Sequence, residues 1–463
     1  METGTAVKKF ARHKLSDDLL IEPVAMETGT PLYFVLNPSL PSWGIVNSDA
    51  IELLHLYDSE RTPGNIAELI SEQKGIGYSD ALQLVNAFLD QMQNQLITNG
   101  HSDRVIPENN FRGVALEITK HCNLRCCHCY LGAGMPADDE LSTMEIKALI
   151  AAVKEEGGAS VAIGGGEPLL RTDCLEIVEY ALSCGLLVSL GTNATLIDRD
   201  RAAHLAALPI KIQISLDGAT ETVHEAIRGP GSYKDAVNGI DELVRAGKAD
   251  DMVIAFTAMK KNVHETAAIV QFALDRGIPV VQYPPLTPSG RARDNWKELR
   301  LDNDEMLEFW HVVSDCALEV QGEMDLLADC FSMNIHQAGK PYQCSIGTQF
   351  RIDPVGNVYP CQCFHYGTEY LLGNIRNASL KSMVEGTRIR EIQLLNRARP
   401  SMITGCCDCR WRNYCGSGCM GNAFETADTV LQPTACEARK QWIKSLFTRE
   451  IARAVQYCQA EEV

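Results

Sequence analysis

Apolar and polar residues alternate with three different rhythms along this chain. Between residues 23 and 103, Leu32–Leu36 and Trp43–Val46 are short apolar runs that read as strands. Three amphipathic faces follow. Ser48 and Asp49 precede Ala50, Leu53, Leu54 and Leu56; Thr62 precedes Pro63, Ile66, Leu69 and Ile70; Ser79 precedes Leu82, Val85, Phe88, Leu89 and Met92. Each face opens on a residue whose side chain can cap free helix N–H groups, and Pro63 stands where a missing N–H costs nothing. Two strands and three helices predict a small winged-helix module over 23–103. Residues 1–22 read as a polar lead-in and 104–112 as a linker.

From Gly113 the rhythm becomes strand–helix. Val114–Ile118, Val161–Ile163, Leu187–Leu190, Ile212–Leu216, Val253–Phe256 and Val280–Tyr283 are short β-rich runs. Helical patterns separate them at Met144–Glu156, Cys174–Cys184, Arg199–Leu208, Tyr233–Ala246 and Glu265–Arg276. Six such repeats over 113–301 predict an α/β domain with a parallel sheet, either a partial (β/α)6 TIM-type barrel or a doubly wound sheet. Both place chemistry at the carboxyl ends of the strands. Residues 302–343 read as a helical bridge. Residues 344–436 have little apolar periodicity, so bound ligands rather than a core are expected to hold them. Residues 437–463 read as an amphipathic helix through Trp442, Leu446, Ile451 and Val455.

Charge narrows the partners. The 463 residues carry 42 basic and 60 acidic side chains, a net −18. That balance argues against nucleic acid, whose phosphates need a basic face. No apolar run reaches the roughly 18 residues of a membrane span, and no signal peptide is visible, so a cytoplasmic protein is expected. Cysteine is the outlier, at 18 residues. In a reducing compartment, clustered cysteines point to metal rather than disulfides. None precedes Cys122.

The first cluster, His121-Cys122-Asn123-Leu124-Arg125-Cys126-Cys127-His128-Cys129-Tyr130, follows the first barrel strand. Cys122, Cys126 and Cys129 are spaced to hold three corners of a [4Fe–4S] cube and leave one iron open. Zinc closed by His128 or Cys127 is the competing reading. The segment resembles the signature of the radical S-adenosylmethionine (radical SAM) enzymes. The resemblance implies that these three cysteines hold the cluster and that SAM chelates the open iron. SAM is then cleaved to a 5′-deoxyadenosyl radical that removes a hydrogen atom from substrate. Cys127 is extra to the pattern. Gly164-Gly165-Gly166-Glu167-Pro168, Thr192-Asn193-Ala194 and Ser215-Leu216-Asp217-Gly218, with His224 and Arg228, resemble the family's strand-end motifs. They imply SAM contacts from Gly165, Gly166, Glu167, Asn193, Ser215, Asp217 and Arg228, the last paired with the methionyl carboxylate. Ala194 stands where the family has glycine. Pro288-Ser289-Gly290-Arg291-Ala292 resembles a turn found after the sixth strand of many relatives.

The second cluster runs Cys344, Gly356, Cys361, then Cys406-x2-Cys409-x5-Cys415-x3-Cys419 and Cys436. It resembles the auxiliary-cluster extension called SPASM. The resemblance assigns Cys344, Cys361 and Cys419 to one auxiliary cluster and Cys406, Cys409, Cys415 and Cys436 to a second, giving three [4Fe–4S] clusters in all. The fourth ligand of the former is Cys363, Cys330 or an open iron. Cys407 parallels Cys127 as a non-ligand, and Cys174, Cys184, Cys316 and Cys458 read as buried small hydrophobes. Polar groups for a substrate could come from Arg291, Tyr342, Asp353 and His365.

The amino-terminal pattern, Trp43-Gly44-Ile45-Val46-Asn47 with Leu53-Leu54 and Arg61-Thr62-Pro63-Gly64, resembles the peptide-recognition domain related to the pyrroloquinoline quinone chaperone. Such domains add a leader peptide to a sheet edge. Leu32–Leu36, followed by Pro38 and Pro41, is the expected edge, with the linker presenting the bound peptide to the barrel. The combined resemblance implies a radical SAM maturase that crosslinks a ribosomally made precursor through a thioether, ether or C–C bond. A flavodoxin or ferredoxin would supply electrons. A tetrapyrrole or a sulfatase residue is the alternative substrate, and a zinc-stabilised scaffold the alternative of another class.

Overall fold

The computed structural model describes residues 19–24, 31–37, 42–57, 61–94, 111–328, 344 and 346–461. Its strands form two sheets. The first is antiparallel, β1 (Leu20–Val24), β2 (Leu32–Asn37) and β3 (Ser42–Asn47), in that order. The second has ten strands: β4 (Gly113–Thr119), β5 (Ser160–Gly165), β6 (Leu187–Thr192), β7 (Lys211–Ser215), β8 (Met252–Ala255), β9 (Val280–Tyr283), β10 (Asp325–Ala328), β11 (Gln349–Ile352), β12 (Asn357–Tyr359) and β13 (Gly373–Asn374). Its spatial order is β10-β9-β8-β7-β6-β5-β4-β11-β12-β13. The six barrel strands are those expected from the periodicity, and all pair in parallel.

Leu20–Val24 corrects the polar lead-in: a third strand begins inside residues 1–22. It also corrects the expected edge. β2 pairs with β1 from Leu20↔Leu36 to Val24↔Leu32 and with β3 from Leu32↔Asn47 to Asn37↔Ser42, so it is the central strand. The reason was visible in its composition. A run that is apolar at both parities is buried on both faces. Val35 packs into the module's own core with Val46, Leu53, Leu54, Ile66, Ile70 and Phe88. Phe34 and Leu36, on the other face, join the main core of the protein. The three helices form at Ser48–Leu56, Pro63–Lys74 and Tyr78–Asn94. Thr62 and Asn65 close a capping box on the second.

The module is docked. Phe34 lies 5.1 Å and Trp43 5.6 Å, ring to ring, from Phe447 on the helix Cys436–Glu461. Phe447 stacks in turn on Trp411 at 5.6 Å and meets Tyr414 at 5.5 Å. Most of the expected linker falls outside the described residues. Its last part belongs to the barrel: Phe111 is buried 5.3 Å from the ring of Phe350.

Two further departures concern residues 302–436. The bridge holds a helix, Asn303–Glu319, as expected, but then β10 extends the parallel sheet beyond β9. Residues 344–436 are not built on ligands alone. They contain a helix at Thr387–Met402, and β11 pairs in parallel with β4. The cysteine-rich segment and the barrel therefore share one sheet. The carboxyl-terminal helix forms as expected and buries Trp442, Ile443, Leu446 and Phe447.

Candidate functional site

A cavity of about 340 Å³ opens at the carboxyl ends of the barrel strands. Its size suits a small-molecule site, for which about 300–1,000 Å³ is usual. The loop after β4 brings Cys122, Cys126, His128 and Cys129 to its wall. The glycine run at the end of β5, Thr192 at the end of β6 with Asn193 after it, Ser215 on β7 and Thr257 after β8 complete the barrel side.

The three loop thiols influence one another. Burial pushes the Cys126 thiol up to about 11, and Cys129 and Cys122 add to the rise. Each sulfur meets a donor. Cys122 Sγ accepts from Leu124 N–H and Cys129 Sγ from Ala133 N–H, both at 3.4 Å, and Arg228 Nη1 lies 3.8 Å from Cys126 Sγ. Such donors stabilise the thiolates a cluster requires. Cys127 turns away and packs against Ile227, Met259 and Leu299. The loop thus brings three thiols to the cavity wall, a donor set whose chemistry fits a cluster with one open iron.

The Pro288–Ala292 turn clamps this loop. Arg291 donates from Nε to Cys126 O at 2.8 Å and from Nη1 to Ala133 O at 2.7 Å, and its N–H donates to Cys129 O at 2.9 Å. Asn295 Nδ2 donates to Cys127 O at 2.9 Å. Gly290 has φ 53°, and a side chain there would sit 2.5 Å from Gly132 N and Tyr130 O. Arg291, expected among the substrate groups, is first a brace for the cysteine loop.

The expected SAM contacts divide into two groups. Gly165, Gly166, Asn193, Ser215 and Arg228 line the cavity. Gly166 lies so close to the cysteine loop that a Cβ would fall 2.1 Å from His121 O. Glu167 and Asp217 are fully buried behind the wall. Glu167 accepts from Leu169 N–H, Thr192 Oγ1 and Asn193 N–H, tying β5 to β6. Asp217 accepts from Thr257 N–H at 2.9 Å and pairs with Arg228 Nε at 2.7 Å. His128 Nε2 lies 3.2 Å from the same carboxylate oxygen. Burial holds His128 at about 4, so its ring is neutral near pH 7. Arg228 thus faces the cavity with part of its fork already spent on Asp217. Ala194, in place of glycine, adopts φ 61°, a left-handed conformation that costs an alanine free energy.

Beyond β4 the cavity is also lined by Arg351, Gln362, Cys363 and His365. Arg351, on β11, pairs bidentately with Glu117 on β4 at 2.8 and 2.7 Å, with both side chains buried. Its Nη1 donates to Phe364 O at 3.2 Å. His365 packs 4.7 Å from the ring of Tyr130. Its backbone N–H donates to Glu425 at 2.7 Å. Asp353, by contrast, spends its carboxylate within a turn, accepting from Val355 and Asn357 N–H. Tyr342 and Cys330 lie outside the described residues. The Glu117–Arg351 pair, absent from the expectations above, had one signal: an acid inside an apolar barrel strand. Ser189 and Gln213 break β6 and β7 in the same way and also line the cavity.

Removing the Arg351 guanidinium should be costly. Arg351→Met leaves Glu117 buried without its partner, a change worth about 3–5 kcal/mol. Burial already pushes the Glu117 carboxyl up, and Arg351 pulls it back down. In the variant the folded state holds the proton more tightly than the unfolded chain, so stability falls as pH rises. Denaturant midpoints should drop most at pH 8 and recover at pH 5, and Glu117→Gln added to Arg351→Met should restore much of the loss. Equal midpoints for Arg351→Met and wild type would refute the pairing energy.

In the second cysteine region, burial pushes the Cys415 thiol up, and Cys436 and Cys406 reinforce it. Cys436 is raised by burial and then by Cys406 and Cys409. Cys415 thus lies within electrostatic reach of Cys436 and Cys406, and Cys436 within reach of Cys406 and Cys409. Cys344 and Cys361 share an apolar nest with Met420. Cys419 caps the helix Met420–Ala427, its sulfur accepting from Asn422 N–H at 3.4 Å. Cys174 and Cys316 are buried in the core, and Cys184 packs against it half-buried. Among the described residues no helix is long and apolar enough to cross a membrane.

Comparison with known proteins agrees with this arrangement. The radical SAM superfamily pattern matches residues 116–273, and the SPASM iron–sulfur cluster-binding domain matches 333–410. The chain is 33% identical over 319 residues to the mycofactocin maturase MftC of Mycobacterium ulcerans, spanning 67% of this chain and 83% of that protein. It is 30% identical over 349 residues to the AdoMet-dependent heme synthase of Methanosarcina barkeri, spanning 69% and 94%. Among solved structures it resembles anSMEcpe with bound AdoMet and Cp18Cys peptide, with TM-score 0.60, 20% identity and coverage of 75% and 99%. It also resembles Streptococcus suis SuiB bound to precursor peptide SuiA, with TM-score 0.56, 14% identity and coverage of 92% and 99%. A [4Fe–4S] cluster and SAM, with auxiliary clusters in the SPASM domain, are the cofactors of such proteins, and the zinc-scaffold reading falls away. The chain belongs to the radical SAM enzymes that carry a SPASM domain.

Proposed function

We propose that this enzyme matures a ribosomally made precursor peptide, using a 5′-deoxyadenosyl radical to abstract hydrogen and install a crosslink. Cys122, Cys126 and Cys129 would hold the [4Fe–4S] cluster, which when bound would supply the electron for SAM cleavage. Gly165, Gly166, Asn193, Ser215 and Arg228 are proposed to hold SAM against it, while Glu167 and Asp217 fix those groups from behind. Cys406, Cys409, Cys415 and Cys436 are proposed to hold the distal auxiliary cluster. Cys344, Cys361 and Cys419 are proposed to hold the nearer one. A flavodoxin- or ferredoxin-type protein is the proposed reductant.

The observation that carries the peptide reading is the docked three-stranded module. Among the described residues, β1 and β3 each pair on one side only. Pro23 lies in β1 and cannot donate to a further strand. β3 (SWGIVN) has no proline and is the better edge for a leader peptide. The relatives named maturases and the fold shared with a peptide-bound SuiB support the same reading. Heme synthases among the relatives support a tetrapyrrole as the second reading.

The test pairs the reconstituted enzyme, SAM and reductant with a short peptide encoded beside its gene. The peptide should lose the mass of two hydrogen atoms with formation of 5′-deoxyadenosine. A peptide returned unchanged, together with conversion of a tetrapyrrole under the same conditions, would favour the tetrapyrrole reading.

A further inference from the structure

Three thiolates, from Cys344, Cys361 and Cys419, leave one iron of a cubane without a protein ligand. What fills that corner decides whether a substrate atom can bind there. The point rests on reading residues 344–436 as an iron–sulfur domain.

Cys363 stands two residues past Cys361, in the turn that follows β12. Phe364 N–H donates to Cys361 O at 3.4 Å, and Arg351 Nη1 pins the same turn through Phe364 O at 3.2 Å. Cys344, Cys361 and Cys363 share one apolar nest with Ile346, Phe364 and Met420. Cys419 immediately precedes Met420 and opens the helix on which this nest rests. The next residue, Gly421, touches Cys363 directly. A Cβ built on Gly421 would lie 2.6 Å from Cys363 Cβ and 2.4 Å from its carbonyl oxygen. The missing side chain lets Cys363 settle on the turn that Cys419 begins. Cys363 also lines the SAM cavity, which Cys361 does not. Cys330, the other thiol the sequence offers, lies outside the described residues.

We propose that Cys363 is the fourth thiolate of this auxiliary cluster, on the side facing the SAM cavity. Four cysteines satisfy a [4Fe–4S] cube completely. The cluster then offers no iron to the substrate and can serve the reaction only by exchanging electrons across the wall formed by Cys363, Gln362 and His365.

The experiment uses the full-length reconstituted enzyme with saturating SAM, which occupies the open iron of the first cluster. Iron is counted, and the reduced clusters are followed by electron paramagnetic resonance with and without 2-mercaptoethanol. The wild-type auxiliary signals should not move on adding the thiol. Cys363→Ala should lose between about one and about four irons per chain and gain a signal that shifts with 2-mercaptoethanol. Cys363→Ser should keep more iron than Cys363→Ala, with an altered signal. A wild-type auxiliary signal that shifts with thiol would overturn the proposal, even if no variant folds. So would Cys363→Ala with wild-type iron and spectrum. Cys361→Ala separates the two levels of the argument. If it loses about four irons while Cys363→Ala loses none, only the fourth-ligand assignment fails. If it too keeps all its iron, the auxiliary-cluster reading itself fails.

Discussion

Replacing Cys122, Cys126 and Cys129 together by Ala should abolish 5′-deoxyadenosine formation while leaving about eight of about twelve irons in place. The first half follows from the donor set. These are the thiols of the loop after β4 that line the cavity, and Cys127 turns out of it. The second half follows from how the loop is held. Its carbonyls are fixed by Arg291 and Asn295, and His121 and Gly134 pair across its base. None of these bonds uses a cysteine sulfur, so the loop should keep its shape without metal. Two measurements decide the matter: iron per chain after anaerobic reconstitution, and 5′-deoxyadenosine by chromatography with an artificial reductant. Residual SAM cleavage above background would remove the three cysteines from the cluster. Loss of all iron with precipitation would mean that the first cluster holds up the fold, contrary to the bonding just described.

The parts legible in the sequence were those that repeat or that space ligands. Six barrel strands and their helices follow from alternation, because a parallel strand covered by helices must be apolar throughout. The cysteine clusters stand out by their bunching along the chain, while their division into ligand sets comes from the family resemblance. What escaped was long-range pairing. Nothing local in Gln349–Ile352 says that it pairs with β4, and no short window links Glu117 to Arg351 across the interval between them. The motif residues show the same limit at smaller scale. Glu167 and Asp217 stand in the strand-end motifs as Gly166 and Ser215 do. Which of them faces the cavity depends on the twist of the strand end, and the structure turns both acids inward to brace the wall. Leu32–Leu36 carries two opposed signals. Pro38 and Pro41 after it mark an edge, while its unbroken apolar character marks a central strand, and burial on both faces decides for the second.

Phe447→Ala should weaken the whole enzyme more than any other single aromatic truncation on the carboxyl-terminal helix. Its ring is buried and meets Phe34, Trp43, Trp411 and Tyr414, so it joins the amino-terminal sheet to the loop between Cys409 and Cys415. Truncating a buried Phe costs about 3–5 kcal/mol where the site cannot collapse. Four rings held by β2, β3 and the helical turn Arg412–Cys415 with its cap Trp411 cannot easily close such a gap. Two consequences should appear together. The thermal midpoint should fall by several degrees, and the distal auxiliary cluster should lose iron as Trp411 and Tyr414 lose their support, since ligand binding and local folding are one equilibrium there. Phe447→Leu, which keeps most of the apolar volume, should recover much of both. The same packing changes what deletion of residues 1–103 can mean. A tethered module could be removed without harm, whereas removing this one exposes Phe447 and the main-core face that Phe34 and Leu36 cover. The deletion should therefore lower solubility and distal-cluster iron as well as peptide modification. Point changes on β3 that spare Trp43 are the cleaner way to separate peptide recognition from SAM cleavage. A deletion variant as soluble and as iron-replete as wild type, or Phe447→Ala with an unchanged midpoint, would show that the aromatic bridge carries no load.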